Sequence, residues 1–70
     1  MNREPELLSV VAPMYEEQDT VDPFTERVAA ALGDLNYELI IVDDGSKDGT
    51  RDAMAAAAAR DPRVKVVSLA

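Results

Sequence analysis

Residues 39–50 read LIIVDDGSKDGT. Four apolar residues, three of them β-branched, run into two aspartates, a glycine- and serine-containing turn follows, and a second polar-to-helical transition begins at Asp48. A short apolar run bounded by turn residues has the form of a strand buried on both faces of a parallel sheet. Asp43 and Asp44 then stand at the C-terminal end of that strand. In open α/β sheets this is the edge at which ligands bind.

Working outward, Leu7 to Ala12 (LLSVVA) is apolar and β-branched enough to be an earlier strand. Pro13 is expected to end it, because proline donates nothing to a sheet ladder. Met14 to Glu17 make a loop. A helix is expected from Asp19 or Thr20, both good N-cap residues. Pro23 is tolerated in its first turn, where amides have no intrahelical partner. Val21, Phe24, Val28, Ala31 and Leu32 form one apolar stripe, and Gly33 is the expected stop. The central strand should run from Tyr37 or Glu38 to Val42. A second helix is expected from about Asp48 through the alanine run to Arg60, where Asp61-Pro62 ends it. Arg63 to Leu69 reads as a third strand.

The order is therefore βαβαβ with short connections. Right-handed crossovers make the three strands parallel and adjacent, in order 3-2-1, with both helices on one face. The expected fold is α/β: half of a doubly wound, Rossmann-like sheet within one domain spanning residues 1–70. The other sheet face should be bare unless further residues or a partner cover it. The run VKVVSLA reaches the last residue without a turn or cap, and the expectation is a partial domain of a larger protein.

Composition narrows the chemistry. Seventy residues without a cysteine or a histidine have no disulfide framework, no thiolate metal site and no His-based catalysis. No apolar run approaches the ~18 residues of a membrane span, and the acidic N-terminus lacks the form of a signal peptide; a cytoplasmic location is expected. The net charge is −7 and unevenly spread. Residues 1–44 hold eleven acids against two bases, a net of −9, and residues 45–70 hold five bases against three acids, a net of +2. So acidic a front half should repel nucleic acid and anionic lipid surfaces. A solvated acidic surface accounts for most of these charges, but not for the pair Asp43 and Asp44.

Two strand ends should converge, since adjacent parallel strands lie roughly 4.8 Å apart. Their crevice would offer the Tyr15 ring and the carboxylates of Glu17, Asp43 and Asp44. Such a set can stack on a planar base and accept hydrogen bonds from base N–H groups or ribose hydroxyls. With only Lys47 and Arg51 nearby as bases, it would hold a diphosphate poorly unless a divalent cation intervened, bound partly by residues outside this chain.

Several look-alikes fail on counting. Asp44 to Gly49 imitates the start of an EF-hand loop, but position 12 falls on Ala55, where a bidentate glutamate is needed. No GxGxxG or Walker loop is present. A phosphatase-type DxDGT would need an acid at Ser46. A receiver-type phosphoacceptor domain also places an acidic pair after an apolar strand, but it needs an aspartate at the end of the third strand, where this chain has Ser68 and Leu69.

PMYEE (Pro13 to Glu17) and IIVDDGSKDGT, about 25 residues apart, resemble the P-x-Y-N-E and V-D-D-G-S-x-D-G-T signatures at the N-terminus of family 2 glycosyltransferases of the GT-A fold. The likeness extends from Leu7 to Leu69 and is greatest for the polyprenyl-phosphate, dolichol-phosphate mannose synthase type. It implies that Pro13, Tyr15 and Glu17 line a nucleotide pocket. It further implies that Asp43 and Asp44 bind the base and ribose of a UDP- or GDP-sugar, and that Gly45 and Ser46 shape the turn beside them. Plain turn chemistry accounts equally for Pro13 and Gly45. Glu16 departs from the family pattern, which has asparagine there. The resemblance also implies a lipid-phosphate or glycan acceptor, a Mg2+ or Mn2+ cofactor, and a parent enzyme compatible with the cytoplasmic face of a membrane. The metal motif, catalytic base and acceptor site would follow residue 70, leaving this segment inactive alone. From another class, the alternative is a non-catalytic module that binds or self-associates through the exposed sheet face or edge.

Overall fold

Tyr37–Asp43 forms the central strand β2 of a three-stranded parallel sheet in the computed structural model, which describes residues 6–69. Its neighbours are β1 (Leu8–Met14) and β3 (Val64–Ser68), and the helices α1 (Val21–Leu32) and α2 (Thr50–Arg60) make the two crossovers. The sheet order β1-β2-β3 is the expected 3-2-1 read from the other edge.

Strand alternation decides what each residue faces. Tyr37, Leu39, Ile41 and Asp43 are buried, while the alternate residues Glu38, Ile40 and Val42 are half-buried. The register sets Val10, Ala12 and Met14 beside Leu39, Ile41 and Asp43, and Val64 and Val66 beside Leu39 and Ile41. All of these same-face residues except Asp43 join one core with Val21 of α1 and with Met54 and Ala57 of α2. Both helices therefore cover one face, as the crossover rule requires. The alanines of α2 leave little side chain between helix and sheet, and Met54 is its one large buried apolar side chain. The opposite face is bare among the described residues, with Val11 61% and Val67 43% exposed.

Several boundaries differ from expectation, among them the end of β2, which lies at Asp43 rather than Val42. β1 runs through Pro13 to Met14. The Leu8 amide donates to Asn36 O, and Met14 O accepts from the Asp44 amide. Even-numbered residues thus bond to β2, and Pro13 faces the open edge, where a missing N–H costs no ladder bond. α2 begins at Thr50 rather than Asp48, although the Asp48 carboxylate accepts the Thr50 amide at 2.9 Å and so tends that helix end. β3 is a residue shorter at each end, with Arg63 carrying its guanidinium 4.5 Å from the centre of the Tyr37 ring. Gly33 does follow α1, but with φ −58° it is right-handed. Its glycine is explained by closeness instead, because a Cβ there would stand 2.6 Å from Ala29 O.

The two sheet faces should answer differently to mutation. Ile41→Val removes one methylene from a fully buried site and should cost about 0.5–1.5 kcal/mol. Val11→Thr on the bare face should cost less than about 0.5 kcal/mol. Urea midpoints of the two variants check this; equal losses would mean that the bare face is packed.

Candidate functional site

Register alone brings the two strand ends together. Met14 pairs with Asp43, so the loops after β1 and β2 leave the sheet side by side. The Asp44 amide donates to Met14 O at 3.3 Å and continues the pairing one residue beyond the strands.

The paired aspartates point in different directions. Asp43 shares the parity of Leu39 and Ile41 and is wholly buried. Its Oδ1 accepts the Ser46 amide at 3.1 Å. Its Oδ2 accepts Arg51 Nε at 3.1 Å and lies 3.0 Å from Arg51 Nη2. Hydrogen bonding from Ser46 holds the Asp43 carboxyl below its ordinary value of 3.8, Arg51 adds to that, and burial opposes it. Asp44, one residue on, is exposed. Gly45 turns the chain with φ 80°, a conformation that glycine adopts without penalty.

The first loop is laid against the second by its backbone. Glu16 has φ 52°, left-handed for a residue with a side chain, which costs about 1–2 kcal/mol. Its amide donates to Ser46 Oγ at 2.9 Å. The Glu17 amide donates to Thr50 Oγ1 at 2.8 Å, and the Gly49 amide donates back to Gln18 Oε1 at 2.5 Å. These ties leave the Tyr15 ring 53% exposed beside the strand ends. A groove of about 380 Å³ opens next to it, lined by Glu16, Glu17, Gln18, Asp19, Thr20 and Asp48.

Of the expected site residues, Tyr15, Glu17, Asp44, Gly45 and Ser46 meet at this edge. Asp43 is turned inward and spends both oxygens on the turn and on Arg51. Pro13 lies exposed at the open edge of β1. Thr50 and Gln18 join the two loops without having been singled out in the sequence. The signal for Thr50 was its place at the end of the DDGSKDGT signature; Gln18 offered none. Chemically, the edge presents an exposed ring and an exposed carboxylate, suited to stacking and to accepting hydrogen bonds. The groove beside it has four acids and no base, so it repels phosphate. Among the described residues no three acidic side chains converge to hold a metal ion.

The model of the family described as "Glycosyl transferase family 2" matches residues 9–70. The chain belongs to this family. Among curated relatives of this family 2 member, the undecaprenyl-phosphate 4-deoxy-4-formamido-L-arabinose transferase of Serratia proteamaculans is 47% identical over 73% of the chain. The protein of the same description from Aeromonas hydrophila is 43% identical over 83% of it. The dodecaprenyl-phosphate galacturonate synthase of Rhizobium johnstonii is 51% identical over 61%. The matches span only 16%, 18% and 13% of those relatives' lengths.

The Asp43 geometry carries a pH signature. A carboxylate whose folded-state pKa is lowered adds stability above its unfolded value of 3.8, and that stability is lost as pH falls through the folded-state value. Urea midpoints should therefore hold from neutral pH to about 5 and fall below about 4. Asp43→Asn should start lower at neutral pH and lose less on acidification. Parallel curves for the two proteins would refute this role of Asp43.

Proposed function

We propose that this chain forms the donor-nucleotide side of a glycosyltransferase that moves a sugar from a UDP- or GDP-sugar to a polyprenyl phosphate. The observation that carries this reading is the exposed pair Tyr15 and Asp44, held side by side at the C-terminal ends of β1 and β2. Tyr15 would stack on the base, and Asp44 would accept from the base N–H or the ribose hydroxyls. Asp43, Gly45 and Ser46 would shape the turn that presents Asp44, with Glu17 and Pro13 completing the loop and strand end beside it. Family membership supports the reaction class, and the relatives named for undecaprenyl and dodecaprenyl phosphate support the lipid-phosphate acceptor.

The remaining parts of the reaction fall outside this site. The acidic groove needs a Mg2+ or Mn2+ ion to accept a diphosphate, and its ligands would come largely from other residues, as would the catalytic base. The 70 residues by themselves would transfer no sugar. Among the described residues no helix is long and apolar enough to cross a membrane; work at the cytoplasmic face on a lipid-borne acceptor would draw on other parts of the protein. A second reading, a binding or self-associating module, draws on the bare sheet face around Val11 and Val67. A clean monomer in sedimentation would count against it.

Calorimetric titration of UDP and then GDP, each with manganese, into the full-length protein tests the main reading. Asp44→Ala should weaken the preferred nucleotide by at least about tenfold and leave the melting temperature unchanged. Asp43→Ala should lower the melting temperature, because it strips the turn and Arg51 of their shared partner. Undiminished binding by Asp44→Ala would overturn the assignment of this edge.

A further inference from the structure

Thr50 is the first residue of α2 and is wholly buried although polar. Its hydroxyl donates to Asp48 Oδ1 and accepts the Glu17 amide at 2.8 Å. The direction of the proton is fixed by chemistry: an ionised carboxylate only accepts, and an amide only donates. Asp48 is kept ionised by these bonds, chiefly that from the Thr50 hydroxyl, which hold its carboxyl below the ordinary value. Asp48 also accepts the Thr50 amide, the first amide of α2. The free lone pair of Thr50 is thereby left for the other loop, thirty-three residues away in sequence.

Two further ties flank this one. Ser46 Oγ holds the Glu16 amide, and Gln18 Oε1 holds the Gly49 amide. Three successive residues of the first loop are thus bonded to the second. The Gln18 bond lies at the surface, where water competes for both partners. The Thr50 hydroxyl is shut away from water, and losing it removes the partner of the Glu17 amide. Gly49 is matched to this clamp, since a Cβ there would meet Gln18 Oε1 at 2.7 Å.

The geometry points to Thr50 as the principal positioning residue of the nucleotide edge, with Gln18 as its surface partner. Thr50 touches no ligand. It fixes the height of the Tyr15–Glu17 loop above the Asp44 turn, and so the spacing between the stacking ring and the accepting carboxylate. This rests on the nucleotide reading above. A helix cap would act on α2 alone, whereas this hydroxyl acts across the crevice.

Thr50→Val keeps the shape and removes the hydroxyl; Thr50→Ser keeps the hydroxyl. In the full-length protein, Thr50→Val should lose hydrogen-exchange protection at the Glu17 amide and weaken UDP or GDP, whichever binds better, about tenfold. Thr50→Ser should retain both. Ile41→Val supplies a protein of lowered stability whose nucleotide affinity should match the unsubstituted one. If Thr50→Val does not fold, Gln18→Ala takes its place, with weakened binding at an unchanged melting temperature expected. Wild-type affinity in Thr50→Val despite an unprotected Glu17 amide, wild-type affinity in Gln18→Ala where it stands in, equal weakening by Thr50→Ser, or equal weakening by Ile41→Val overturns this inference alone. Failure of the unsubstituted protein to bind either nucleotide overturns the nucleotide reading and this inference with it.

Discussion

The carboxylate of Asp43 is the constraint on which the ligand-facing edge depends. It is the last residue of β2, and strand parity drives it into the helix-covered side. A buried carboxylate is tolerated only when its oxygens are satisfied. Ser46 and Arg51 satisfy them, one from the turn and one from α2. Strand, turn and helix are thereby locked around one charge. The turn doubles back through Gly45 to deliver the Ser46 amide. An exposed aspartate beside a buried one is the consequence of a pleat with a period of two.

From this lock the rest of the site follows by contact. Ser46 is held by Asp43, and its hydroxyl in turn holds Glu16 in a left-handed conformation. Thr50, placed by the start of α2, holds Glu17. The first loop has little packing of its own, since residues 15 to 20 are all exposed. Its position is borrowed from the second loop through hydrogen bonds. The family's preference for asparagine at the position of Glu16 acquires a physical reason here, because asparagine visits the left-handed region more readily than glutamate.

The five elements were legible because each had a distinct period or boundary: β-branched runs for the strands, an apolar stripe for α1, the alanine run and Asp61-Pro62 for α2. Parallel order and the bare face followed from crossover handedness. Strand ends were less legible. Pro13 has the form of a terminator, and only its place on an edge strand, facing away from β2, explains why β1 continues past it. At the site, the meeting of the two strand ends was readable from topology. The unequal fates of Asp43 and Asp44 were present in the alternation Tyr37, Leu39, Ile41, Asp43, but an adjacent acidic pair invites reading as a unit. The ties through Thr50 and Gln18 depend on how two loops lie in space, which no local pattern encodes.

The parallel register also governs how this chain can assemble in time. Leu8 pairs with Tyr37, 29 residues on, and Leu39 with Val64, 25 residues on. Neither pairing can start from a tight hairpin; each must close a loop that already contains a helix. As the chain emerges from its N-terminus, β1 has no partner until α1 and all of β2 have followed, and its apolar residues wait in water for that long. β2 is then the template for both neighbours, so the strand that ends in the ligand-facing turn is also the one whose arrival permits the sheet to form.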